Sequence, residues 1–213
     1  MRDRVTTLHC DGAVIGEYAA LMATSTAQPG TGRRAQILAV AAQLFAKHGF
    51  HGVTIADLGA AVGVSGPALY RHFPSKEALL AEMLVGISEH LLAGGQQRAV
   101  SGGPREVLSA LVEFQADFAL TEPELIVVQD RDLANLPPEA RHQVRQLQRR
   151  YVEIWVTALR KLHPGLSEEA ARVAAHGTFG LLNSTPHTGR GPEAVTLLRR
   201  MALNALLALP STD

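Results

Sequence analysis

Apolar residues recur three and four positions apart over most of this chain. Ile37, Val40, Ala41, Leu44 and Phe45 set that spacing, which predicts a helix from Arg33 to Gly49, with Lys47 and His48 in its last turn. Thr54, with Asp57 in the first turn, opens a second helix carrying Ile55, Leu58 and Val62, and Gly63 stops it. Ser65 caps a third. Pro67 is tolerated in its first turn because the missing N–H needs no partner there, and Phe73-Pro74 end it. Ser75 caps a fourth, with Leu79, Leu80, Met83, Leu84 and Ile87 on one face. Further on, the pattern predicts helices over 104–121 and 124–134, broken at Pro123. A long one begins at "PPEARHQ", with its stripe at Val144, Leu147, Tyr151, Ile154, Ala158 and Leu162. Ser167 caps 168–184, and Pro192 opens 193–209. Strand-like alternation and long repeats are both missing, so the fold class is all-α, with about nine or ten helices.

Three segments follow: a leader over 1–32, a unit of short helices over 33–78 and a helical domain over 79–213. The leader lacks a clear pattern, and "ATSTAQPGTG" is small and polar. Residues 13–23 suit a short helix, and Met22 is a candidate start.

Composition narrows the function classes. At 46% hydrophobic and 19% charged, 213 residues can bury a sizeable core. Twenty basic residues balance 20 acidic ones, so any polyanion must meet a local patch. One such patch exists. Residues 31–80 hold Arg33, Arg34, Lys47, Arg71 and Lys76 against Asp57 and Glu77, with His48, His51 and His72 able to add charge. Cys10 stands alone, which fits a reducing cytoplasm. No apolar run approaches the roughly 18 residues of a membrane span, and the first 30 residues lack the order of a secretory signal. An enzyme is disfavoured: nucleophile-elbow, phosphate-loop and dinucleotide fingerprints do not occur. His48 and His51 are three apart, but Gly49 and Gly52 interrupt them and no Cys or nearby acidic partner completes a ligand set. Neither a metal nor a cofactor is expected.

Two short helices around a glycine turn have helix–turn–helix spacing. On the third helix Leu69 and Phe73 lie four apart and face the core with Ile55, Leu58 and Val62. Gly66 with Tyr70, and Pro67 with Arg71, line the opposite face. The small first turn allows close approach to a surface, and Tyr70, Arg71 and His72 can reach outward to phosphates or base edges. The competing reading is a helical subdomain with Tyr70 and His72 in its core.

The stretch "TIADLGAAVGVSGPALYRHFPSKEALL", residues 54–80, resembles the DNA-binding signature of the tetracycline-repressor (TetR) family of bacterial regulators. The resemblance implies that Thr54 caps its helix and touches a phosphate. It implies that Ser65, Gly66 and Pro67 open the recognition helix in the major groove, and that Tyr70, His72 and Lys76 contact phosphates. Arg33 and Arg34, just ahead of the first helix, would reach the backbone or minor groove. Many relatives carry Lys where this chain has Gly66. Base reading then rests on Ser65, Pro67, Tyr70 and Arg71, and specificity leans on DNA shape. The expected partners are double-stranded operator DNA, a small-molecule effector and a second copy of the chain. Repression is the default, because occupancy blocks polymerase.

The family dimerises through its last two helices. "ARVAAHGTFGLL" and the apolar face Val195, Leu198, Ala202, Ala205, Leu206 and Leu209 suit this, internal core being the alternative. Large apolar residues of the central helices are candidate pocket walls: Phe114, Phe118, Leu125, Val128, Tyr151, Trp155 and Phe179. Arg141, Arg145 and Arg149 form a helical stripe. It is either solvated or paired with the acidic stretch 104–139, or it receives an anionic group such as the phosphates of an acyl-CoA.

Overall fold

The structure is a computed structural model describing residues 31–188 and 192–209. The leader readings at 1–30, including Cys10, the helix at 13–23 and Met22, lie outside the described residues. Ten α-helices form among them: α1 (Thr31–His48), α2 (Ile55–Val62), α3 (Gly66–Leu69), α4 (Lys76–Arg98), α5 (Pro104–Thr121), α6 (Pro123–Asp132), α7 (Pro138–Leu162), α8 (Glu168–Leu182), α9 (Thr185–Thr188) and α10 (Pro192–Leu207). A 3₁₀ turn, Leu133–Asn135, joins α6 to α7.

Helix starts follow the capping residues. Thr54, Ser65, Ser75 and Ser167 each accept a backbone N–H three residues on. Pro104, Pro123, Pro138 and Pro192 open α5, α6, α7 and α10. Arg33 and Arg34 lie inside the first turn of α1, not ahead of it.

One hydrophobic core runs from α1 through α8 and onto α10. Its spine is α4, which packs along α7. By composition α4 would qualify as a membrane span, contrary to the sequence expectation, yet more than half of that window is buried inside this fold. Two adjacent glycines make the packing close. A Cβ at Gly94 would lie 2.2 Å from the Phe114 ring, and one at Gly95 2.6 Å from the Tyr151 ring. The proposed boundary at 78/79 falls within α4, so one helix belongs to both halves.

The third helix is shorter than the sequence suggests. Only Gly66–Leu69 is α-helical, because the amides of Arg71 and His72 turn back to carbonyls three residues behind and Pro74 blocks continuation.

Polar contacts join the two halves. Arg131 on α6 donates to the carbonyls of Phe45 and Ala46 at the end of α1, and buried Asp132 holds the guanidinium at 3.0 Å. Asn135 meets His51 Nε2 at 2.9 Å. A cation at a helix C-terminus satisfies carbonyls that lack intrahelical partners.

Candidate nucleic-acid interface

The turn between α2 and α3 fixes the approach of the two helices. Gly63 is left-handed at φ 71°, and the Val64 N–H donates to the Gly59 carbonyl at 2.9 Å. A Cβ at Gly59 would sit 2.7 Å from the Val64 carbonyl oxygen, so the turn requires glycine there. Gly66 differs. A Cβ there would meet only Ile55, at an ordinary 3.8 Å, so the fold does not demand the missing side chain.

Leu58, Val62, Leu69 and Phe73 are buried, while Ile55 is half-buried. The outward face carries Ser65, Pro67, Tyr70 and Arg71, all exposed, with Tyr70 at 52%. These four side chains stand together at one edge. His72 is half-buried beside them.

Lys76, Arg34 and Arg33 are each engaged internally in the free chain. Lys76 Nζ donates to the carbonyls of Phe50 and Val53, each at 2.8 Å, and lies 4.3 Å above the Phe50 ring. Arg34 grips Glu82 with Nε and Nη2, donates to the His72 carbonyl and stacks 4.2 Å over Phe73. Arg33 donates to the Val62 carbonyl at 3.0 Å. Lys76 and Arg34 therefore hold the reading head in shape. Arg33, though exposed, ties α1 to α2. The sequence could not show this, because Glu82 and the acceptor carbonyls are remote in the chain.

Thr54 forms a full capping box. Its hydroxyl accepts from the Asp57 N–H at 3.1 Å, while Asp57 Oδ2 accepts from the Thr54 N–H at 2.8 Å and from the hydroxyl at 2.7 Å. Those bonds, foremost the one from the Thr54 side chain, hold the Asp57 carboxyl below its ordinary value of 3.8, and the neighbouring His48 adds to this. A depressed carboxylate pKa stabilises the fold above the unfolded value, and that contribution is lost as pH falls through the folded one. An NMR titration should find Asp57 ionising below 3.8, and T54A should raise it.

In the helical domain three of the seven candidate wall residues, Tyr151, Trp155 and Phe179, come together, while Phe114 lies elsewhere, against Gly94 of α4. Tyr151 and Phe179 stack at 5.6 Å, and Trp155 meets Phe179 edge-on at 5.0 Å. Phe118, Leu125 and Val128 are buried on α5 and α6. Arg141, Arg145 and Arg149 form no ion pair among the described residues, so the stripe is not matched to the acidic stretch. Sequence reasoning missed Gln115 and Asn183, which bond to each other at 2.9 Å beneath the aromatic rings.

Comparison with known proteins agrees with this geometry. Residues 37–83 match the family model described as bacterial regulatory proteins, tetR family. Residues 101–196 match the tetracyclin repressor-like C-terminal domain. The HTH-type transcriptional repressor KstR2 of Rhodococcus jostii (strain RHA1) is 32% identical over 143 residues, 67% of each chain. A TetR-family transcriptional regulator from Bordetella parapertussis 12822 superposes with a TM-score of 0.76 at 27% identity, over 82% of this chain and 94% of that one. The regulator FadR from Bacillus subtilis, solved with stearoyl-CoA, shares the fold at 18% identity and a TM-score of 0.66, over 81% of this chain and 97% of that one.

Proposed function

The chain belongs to the TetR family of bacterial regulatory proteins, which are DNA-binding transcription regulators, and on that footing we propose that it represses transcription as a homodimer on a palindromic operator. The proposed release signal is a hydrophobic small molecule such as an acyl-CoA. The work is done by binding, with no chemical step, and its place is the cytoplasm, where the chromosome lies.

The observation that carries this reading is the exposed edge of Ser65, Pro67, Tyr70 and Arg71 on a scaffold whose neighbouring cations are tied inward. Arg71 and the Tyr70 hydroxyl supply the phosphate and base contacts. Thr54 and Ser65 add hydroxyls, and His72 and the exposed Arg33 come next in reach. Proline against a thymine methyl supplies an apolar contact, so shape and deformability carry much of the sequence preference.

Dimerisation through α8 and α10 rests on apolar side chains left at the surface. Val173 is 67% exposed, Leu197 50% and Met201 47%. A Cβ at Gly177 or Gly180 would meet nothing within 4 Å, so backbones can approach closely there. Two such helices per subunit make a four-helix interface, setting the recognition helices about 34–36 Å apart, one turn of DNA. An effector that favours a different spacing releases the operator.

For the effector, the free arginine stripe on α7 suits phosphates, and the aromatic cluster suits an acyl chain. The stearoyl-CoA complex of the Bacillus subtilis protein gives a precedent within this fold.

Tyr70→Ala tests the reading head. A hydrogen bond to a charged group contributes about 1.5–3 kcal/mol, so affinity for an operator selected from random DNA should fall roughly tenfold or more. Tyr70 is exposed, so the melting temperature should stay put. Unchanged binding in a gel-shift assay would remove Tyr70 from the interface.

A further inference from the structure

We infer that Gly66 is a specificity-determining position of the reading head: its missing side chain leaves an apolar notch, and that notch seats the 5-methyl group of a thymine. This rests on the reading of the α3 edge as the DNA-contacting surface, and it names the base feature that the edge selects.

Glycine at 66 answers no need of the fold. The described glycines of positive φ are Gly49, Gly63 and Gly102, so Gly66 keeps an ordinary helical backbone. A Cβ built there would meet a single atom within 4 Å, Ile55 Cγ2, at an ordinary 3.8 Å. Gly59, on the other side of the turn, is held to its identity by contrast, because a Cβ there would run into the Val64 carbonyl oxygen at 2.7 Å. In a helix, glycine loses more conformational freedom than alanine, so alanine at 66 would hold α3 at least as well.

The opening has a defined chemistry. Its floor is a methyl carbon, Ile55 Cγ2, on a half-buried side chain. Pro67, next in the chain, is exposed and has no N–H. The Ser65 hydroxyl is turned to its own helix, where it accepts the Ala68 N–H at 3.4 Å. A group resting where the Cβ of residue 66 would stand therefore touches carbon. In the major groove the base pairs present nitrogen and oxygen donors and acceptors, and the thymine 5-methyl is the exception. A polar base edge in the notch would lose water and gain no partner. The methyl also loses water there, which is favourable for an apolar group.

The test pairs a trimmed base with a lengthened residue. An operator is first selected from random DNA by the wild-type protein. Each thymine of the half-site is then replaced in turn by deoxyuridine, which differs only in lacking the methyl, and the change is made in both half-sites. One position should stand out. Burial of one methyl is worth about fourfold, so removing both should weaken wild-type binding about fifteenfold by gel shift. The pattern should invert in Gly66→Ala, whose own methyl occupies the notch. That variant should bind the thymine operator about tenfold more weakly than the wild type and come within about twofold of it on the deoxyuridine operator. It should keep wild-type sensitivity at every other thymine, and its melting temperature should be equal or higher. A half-site without thymine, a wild-type protein indifferent to every thymine methyl, or a G66A variant that keeps the wild-type preference overturns the proposal. The wild-type scan stands by itself if that variant does not fold. Weaker binding by Tyr70→Ala alongside indifference to every methyl sinks the role of Gly66 and leaves the reading head intact. Failure of the wild type to select any sequence removes both.

Discussion

Phe73→Ala should destabilise the DNA-binding unit by about 3–5 kcal/mol, the range for removing a large buried aromatic. Phe73 is 1% exposed and shares the core with Leu58, Val62 and Leu69. Its ring also carries the Arg34 guanidinium, 4.2 Å above the centroid. Truncation leaves a cavity and removes the surface on which Arg34 rests while it grips Glu82 and the His72 carbonyl. Whole domains are stable by only about 5–15 kcal/mol, so the loss is a large fraction of the total. Urea denaturation followed by circular dichroism measures it. A loss below about 1 kcal/mol would mean that Phe73 is not the keystone its burial suggests. Phe73→Leu, which keeps most of the volume, should cost less than half as much.

Leu197→Glu combined with Met201→Glu should give a folded monomer whose operator affinity is at least 100-fold weaker. Both side chains are about half exposed in the single chain, so the new carboxylates keep contact with water when the chain is alone. In the proposed dimer they would lie in an apolar interface, where unpaired carboxylates are strongly disfavoured. Linking two binding units raises overall affinity by about 10²–10⁴ without any new contact, and a monomer forfeits that gain. Light scattering reports the mass, and gel shift reports the binding. A double variant that stays dimeric would move the interface away from α8 and α10.

Most helices were legible in the sequence because their ends carry strong local signals. Thr54, Ser65, Ser75, Ser167, Gly49 and Gly63 act within one turn of themselves, so neighbours in sequence suffice to read them. The outward edge of α3 was legible for the same reason: positions four apart share a face. What escaped depends on distant partners. The two backbone acceptors of Lys76, the carbonyls of Phe50 and Val53, lie 26 and 23 residues away in the chain. Arg34 looks free until Glu82 arrives from 48 residues away. The hydrogen-bonded run Tyr151–Gln115–Asn183 has no periodic signature, because each member reads as an ordinary core or surface position of its own helix. The close passage of α4 under Phe114 and Tyr151 was equally hidden, since the pair Gly94-Gly95 reads as a helix weakness rather than as clearance for two rings.

The link from Arg131 to α1 is made to backbone carbonyls, those of Phe45 and Ala46. Every residue type supplies the same carbonyl, so this joint places almost no demand on which amino acids α1 carries. The reading head can therefore drift toward a new operator while its mechanical coupling to the effector half persists.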